Sequence, residues 1–352
     1  MWSVELKVEN LNYILKMKKY VLFIGLCFLI LFRANAASDN PWRTDEKSFS
    51  GISQVNFDHS YGNIVVIESD VKQVELKIQY FDEKNNKSTC EISTSGNTLF
   101  IKTVNPPKRN SFDKWRIDYV ISVPQTTNLT VALKYGNIKM GDFSGDFKAE
   151  LAYSNLNAGI LSCPNPIISC QYGHINMDGA ENLSITTRYS FVNINKLNTL
   201  KVDNQYSDYK IDKIGTIYEG SSTAYGNFNL NMADDVNLKL QYSNLTIGTL
   251  GKNLKTSCSY GGVVVQGCAK QLENINVKGS FSDVTLNLYP DLSANFDINV
   301  LYGGLDIAEK YNPKFTLSEK SDNRIIKKGT IGAGNPTANI SISNTYAGVK
   351  IK

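Results

Sequence analysis

Histidine is almost absent from this chain: His59 and His174 are the only two among 352 residues. Protein zinc sites gather several His or Cys ligands at close spacing. Neither histidine has a third partner nearby in sequence, so no metal centre is expected. Charged residues are scarce too, at 20%. The formal charge of +4 is concentrated at one end. Five of the 37 basic and two of the 33 acidic residues fall within positions 1–36, leaving 32 against 31. So even a balance supplies no field for nucleic acid or an anionic bilayer. No Gly-x-Ser-x-Gly elbow and no phosphate loop occurs. No catalytic residue, cofactor or metal is therefore assigned, and the chain is read as a non-enzyme.

Only one long apolar run exists. Tyr20 to Phe32 follows Lys16, Lys18 and Lys19 and precedes Ala34-Asn35-Ala36. A basic start, a short apolar stretch and a small-x-small site are the parts of a signal peptide. The run is too short for the roughly 20 residues that cross a bilayer. Met17-Lys18-Lys19 reads as the natural start. The expectation is an exported chain, in the periplasm or at the cell surface, that does not span the membrane once residues 1–36 are removed. A short linker over 37–47 would follow.

What the sequence has in quantity is apolar residues (42%) together with Tyr, Asn, Ser, Thr and Gly. That mixture suits strands joined by polar turns. It is ordered by a repeat: Tyr, then Gly or Ser, then a small polar residue, then apolar-x-apolar. The phrase reads Tyr135-Gly-Asn-Ile-Lys-Met, Tyr153-Ser-Asn-Leu-Asn-Ala and Tyr172-Gly-His-Ile-Asn-Met. It recurs at Tyr189, Tyr206, Tyr225, Tyr242, Tyr260, Phe281 and Tyr302, with spacings of 17 to 21 residues. Tyr61 and Tyr346 head outlying copies. A second alternating stretch lies in each period, as in Val236-Leu238-Leu240, and period-two alternation marks half-buried strands.

Equivalent residues at equivalent positions favour parallel stacking, in which like sits on like at about 4.8 Å. The expected fold is all-β: a right-handed parallel β-solenoid (β-helix) of about 18-residue rungs, with a β-rich N-terminal elaboration. It would fill residues 48–352, with a capping region over 48–125, regular rungs over 126–307, and C-terminal rungs with an insertion over 308–352. Gly or Ser followed by Asn or Asp is expected to make the turn after each Tyr. Tyr135, Tyr153, Tyr172, Tyr189, Tyr206, Tyr225, Tyr242, Tyr260 and Tyr302 are expected to form a structural ladder. An aromatic platform for sugar rings is the rival reading. Asn137, Asn155, Asp208, Asn227 and Asn244 would make a polar ladder beside it.

These residues resemble a known family. A Tyr61-Gly-Asn-Ile phrase follows the leader, a strand ends in Val123-Pro124, and Leu129, Val131 and Leu133 lead into Tyr135-Gly-Asn-Ile; Tyr346-Ala-Gly-Val-Lys-Ile closes the chain. The pattern is similar to the bacterial putative-adhesin β-solenoid family, kin to the auto-transporter adhesin head, GIN domain group. The resemblance implies an exported, adhesin-like binding or structural module. It brings no catalytic residues. The partner is unknown, with a glycan or a surface protein as the classes in view. Lys139, Asn157, Asn176, Lys210 and Thr246 would supply an outward face for it.

The alternative is a polysaccharide-cleaving β-helix enzyme, a lyase or a glycoside hydrolase, for which Asp234-Asp235 is the best acidic pair. Asp142 and Asp146 flank a glycine-rich turn, and a weak calcium site competes there with a plain turn. His59 and His174 read as turn residues. Of the cysteines beyond the leader, Cys170, Cys258 and Cys268 stand where Leu or Phe is common and read as core. Cys163 and Cys170 are the one local pair able to bridge.

Overall fold

The alternating segments are extended backbone throughout. The computed structural model describes residues 40–81, 89–104, 115–125 and 127–352. Among them, 22 strands form one hydrogen-bonded sheet, and the one helical element is a 3-10 turn at Glu309–Tyr311. The chain is all-β. The leader over 1–36 lies outside the described residues.

The first six strands are β1 (Arg43–Phe49), β2 (Gln54–Ser69), β3 (Val74–Phe81), β4 (Thr89–Ser95), β5 (Thr98–Val104) and β6 (Arg116–Pro124). The first half of β2 pairs in parallel with β5 and its second half with β6. Antiparallel strands close this end: β4 on β5, β3 on β6 and β1 on β3. Two boundaries differ from expectation. Residues 43–47 belong to β1, not to a linker. Its mostly charged and exposed sequence carries no apolar alternation, and an edge strand tolerates that because one ladder suffices to hold it. Gln54–Ser69 is likewise no cap: it is a full layer, paired from Gln54 to Val66 with the first regular strand.

That strand is β7 (Asn128–Met140). There follow β8 (Phe147–Ala152), β9 (Asn155–Leu161), β10 (Ile167–Gln171), β11 (His174–Arg188), β12 (Phe191–Gln205), β13 (Asp208–Ala224), β14 (Asn227–Gln241), β15 (Asn244–Val265) and β16 (Asn274–Leu286). Each layer pairs in parallel with the segment one period later. Ile175 faces Val192, which faces Tyr209, then Phe228, then Leu245. All five are buried, so each layer covers the apolar face of the next, and a buried side chain of this size contributes about 1.5–3 kcal/mol.

The last strands are β17 (Ala294–Leu301), β18 (Leu305–Ile307), β19 (Lys314–Lys320), β20 (Arg324–Ile331), β21 (Ala338–Thr345) and β22 (Val349–Ile351). Residues 308–352 do not follow on as the outermost rungs. β21 and β22 slot between β16 on one side and β17 with β18 on the other. The column Leu254, Ile275, Ile340, Phe296 therefore runs out of sequence order. β20 covers β17 and β19 covers β20, both antiparallel. The insertion expected within 308–352 is this closing hairpin of β19 and β20. Both ends of the parallel stack are thus sealed by antiparallel strands whose exposed residues are largely polar, which removes an open template for further pairing.

The turn in each period is made differently from expectation. Of the 13 non-glycine residues with positive φ among the described residues, twelve are the aromatic residue that heads the phrase, with φ between 49° and 62°. Among the glycines of the phrase only Gly62 has such a φ. The left-handed bend lets two successive residues face outward, as Gln205 and Tyr206 do, before Ser207 turns inward. It costs an L-residue about 1–2 kcal/mol, of the same order as the ~0.5–1.5 kcal/mol of a stacked aromatic pair.

Gly and Ser after the aromatic have separate tasks. A Cβ on Gly173 would stand 2.0 Å from the Ser154 carbonyl oxygen, and one on Gly261 1.9 Å from that of Ser243. Where the next layer has Ser, its hydroxyl accepts the buried glycine N–H, as from Gly136 to Ser154 (3.2 Å) and Gly226 to Ser243 (3.1 Å). The same hydroxyls donate to the carbonyls of Ala152 (2.8 Å) and Gln241 (2.9 Å). The N–H groups of Gly136 and Gly226 and the hydroxyls of Ser154 and Ser243 are thereby satisfied, as interiors require.

Candidate binding surface

The left-handed aromatics form a single file. Its order is Tyr61, Tyr135, Tyr153, Tyr172, Tyr189, Tyr206, Tyr225, Tyr242, Tyr260, Phe281, Tyr346, Tyr302. Centroids stand 4.6 to 5.1 Å apart and ring planes differ by 2° to 13°. The nine tyrosines singled out in the sequence all lie in it. Tyr302 is separated from Tyr260 by Phe281 and by Tyr346, which the sequence order puts last. The edge of Trp115 closes the Tyr61 end at 5.9 Å. Eleven of the twelve residues are 37–52% exposed. Their faces are covered by one another, so solvent meets edges and phenol hydroxyls. A sugar stacks on a ring face, and the file presents none along its length.

Beside the file run side-chain amide ladders that end on carboxylates. Asn155 donates to Asn137, Asn137 to Asn63 and Asn63 to Asp118, at 2.8, 2.8 and 3.1 Å. His174 stands next in line: its ring is exposed, and its backbone N–H caps Asn155 (2.9 Å). A second run takes Asn244 through Asn227 to Asp208, at 2.9 and 2.8 Å. A carboxylate only accepts, so it sets the direction of every amide above it. The five residues expected as one polar ladder are therefore two ladders, interrupted at His174 and Phe191.

The acidic pair is divided by the same logic. Asp235 accepts from Asn253 (2.8 Å), which accepts from Asn274 (3.0 Å). Asp234 lies across the next layer, where a Cβ on Gly251 would be 2.1 Å from its Oδ1. Asp142 Oδ1 accepts the Ile160 N–H at 2.7 Å, and the Asp146 N–H donates to Asn128 at 2.9 Å. These are contacts of turns and rungs. Among the described residues no group of three or more His, Cys, Asp or Glu is placed to hold a metal ion.

His59 is not a turn residue. It faces inward opposite Leu133, with its ring edge-on to Tyr119 at 4.8 Å and Nδ1 against the Thr103 hydroxyl. Burial pushes its pKa down to about 3. Cys163 and Cys170 are separate free thiols, as are Cys90, Cys258 and Cys268. Cys170 occupies the inward slot opposite Leu151 and Thr187, packed as a small core residue, and burial raises its pKa.

The outward face holds one residue per layer in register: Asn157, Asn176, Asn193, Lys210, Asn229 and Thr246. Lys139 precedes Asn157 in the same column. A shallow groove of about 490 Å³ opens there, lined by Lys139, Asp142, Asn157, Asn176, Asp178 and Asn193 among others. Asn193 and Asn229 had escaped the sequence reading, although the period alone places them four residues after Tyr189 and Tyr225.

No family model matches the chain, and no curated protein matches it. Several solved structures are similar to it. One is a putative cell adhesion protein from Clostridium sporogenes, 12% identical, with 88% of this chain and 98% of that chain covered and a TM-score of 0.22. Another is a putative adhesin from Bacteroides fragilis, 10% identical, with 90% and 100% covered and a TM-score of 0.35. At those scores neither carries an argument about this chain. The kinship with the auto-transporter adhesin head, GIN domain group has no matching family model behind it. No helix of the described residues is long and apolar enough to cross a membrane.

Proposed function

We propose that this chain is a non-enzymatic, exported, adhesin-like binding module of the bacterial envelope, wound as a right-handed parallel β-solenoid. The winding is supported by the register, in which each layer pairs with the next at one period, and by the handedness of parallel crossovers. Export rests on the basic, apolar and small-residue parts of the leader.

The observation that carries the binding reading is the outward column from Lys139 to Thr246 with its groove. It repeats amide, hydroxyl and ammonium groups once per layer on a rigid wall. A surface of that kind suits a ligand that itself repeats, and a glycan chain is the class we favour. The enzyme alternative loses its best carboxylates, since Asp235 holds Asn253 and Asp234 packs over Gly251.

The test is a glycan array and a pull-down from bacterial envelopes with the purified chain and its Asn157→Ala/Asn176→Ala variant. Binding weakened at least about tenfold in the variant, equivalent to ~1.4 kcal/mol, supports the reading. Binding indifferent to the groove refutes it. Polysaccharide breakdown that disappears in Asp234→Ala/Asp235→Ala would establish the alternative. Protease treatment of intact cells tests placement: degradation means surface display, and protection means the periplasm.

A further inference from the structure

The aromatic file has a chemistry that neither packing nor glycan binding uses. Nine consecutive members, Tyr61 to Tyr260, are phenols stacked on phenols. Phe281 interrupts them, and Tyr346 with Tyr302 make one more phenol pair beyond it. Eight of the nine, and both members of the last pair, are 37–52% exposed.

We propose that neighbouring tyrosines of this file are sites of oxidative coupling, which staples successive layers together through dityrosine links. The oxidant is hydrogen peroxide acting through a haem peroxidase, a one-electron oxidant. Each of two phenols gives up one electron and its hydroxyl proton. The two phenoxyl radicals join by a carbon–carbon bond between the ring carbons ortho to oxygen. Each of those carbons then releases its hydrogen as a proton, the two oxygens are reprotonated, and both rings regain aromaticity. Two hydrogens leave the pair, and one peroxide becomes two waters.

Geometry selects the partners. Radicals recombine with what is near, and here the nearest phenol is always the ring of the adjacent layer, 4.6 to 5.1 Å away. Holding two reactants side by side replaces an encounter with an intramolecular step. Tyr218 supplies the contrast: it is 37% exposed, yet its ladder neighbours are Lys201 and Asn237, so it has no phenol to join. Two links would matter most. Tyr61–Tyr135 would tie β2, the first full layer, to β7, and Tyr302–Tyr346 would lock the inserted final strands in place.

The experiment is to expose the purified full chain, at high dilution, to a haem peroxidase with hydrogen peroxide, and to map linked peptides by mass spectrometry. The expected result is intramolecular pairs, each lighter by two hydrogens, joining ring neighbours only. Tyr61–Tyr135 and Tyr302–Tyr346 should be among them, and no link should span Phe281. Phe281→Tyr should add links to Tyr260 and Tyr346. In denaturant, neighbour coupling should slow by at least about tenfold. Absence of coupling in the folded chain overturns the proposal. So does coupling mainly between molecules, or Tyr218 linked as often as members of the file. The mapping of the unaltered chain decides the matter even where Phe281→Tyr fails to fold.

Discussion

The ring of Tyr346 lies on that of Phe281, 4.7 Å between centroids, although Tyr302 is the next aromatic of the phrase in sequence. The final strands therefore bridge two segments that do not pair with each other: β21 has β16 on one side and β17 on the other. Removing residues 333–352 should detach β17 to β20 from the stack, and amide exchange should show protection lost there and along β16. A chain stacked in sequence order would lose only its outermost layer. The milder Ile342→Ala, which empties a buried site facing Val277 and Ile298, should cost about 2–5 kcal/mol in a urea melt.

Tyr206 has φ of 54° and stacks on Tyr189 and Tyr225. Both Tyr206→Ala and Tyr206→Gly lose the two ring contacts, but only glycine also relieves the left-handed strain. Gly should therefore be the more stable of the two by about 1 kcal/mol. In ordinary extended strand the order is the reverse. Chemical denaturation of the two variants decides this, and Ala at or above Gly would remove the strain argument.

Gly173→Ala drives a methyl into the Ser154 carbonyl, whereas at Gly304 nothing lies within 4 Å of the added carbon. The first substitution should lower stability by about 1–3 kcal/mol or more, and the second should stay within ~0.5 kcal/mol. Thermal melts of both variants against the unaltered chain are sufficient.

His59 is neutral in the folded chain, with a pKa of about 3 against an ordinary 6.5. The unfolded chain binds a proton between those values and the folded chain does not, so stability falls as pH drops below 6.5 and levels off below about 3. Between pH 7 and pH 4.5 this site should remove about 3 kcal/mol. His59→Leu places in this slot the residue that Leu133 provides in the next layer, and it should flatten that part of the profile. An unchanged slope would mean that His59 is reached by solvent.

Much of this molecule could be read from its amino acids. The all-β class follows from alternation at Val236-Leu238-Leu240 and its counterparts. The equivalence of the tyrosines follows from their spacing. Both are local signals repeated many times, and repetition makes a weak local preference decisive. The amide ladders were legible only as a column of Asn and Asp. Their division at His174 and Phe191, and the use of Asp118 and Asp235 as termini, depend on which side chains meet across layers.

What the sequence determined by itself was therefore the unit: its length, its inward and outward residues, and the aromatic that begins it. What the tertiary structure alone decided was the order of units at the two ends and which residue bends the chain. An Ala338–Thr345 segment carries the same alternation as any other layer, so nothing local tells it to stop outside Tyr302 or to enter beneath it. The choice is settled by which arrangement leaves no apolar layer and no strand edge uncovered. The left-handed tyrosine is decided in the same way: no single residue prefers that backbone, and only a file of neighbouring rings offsets its cost.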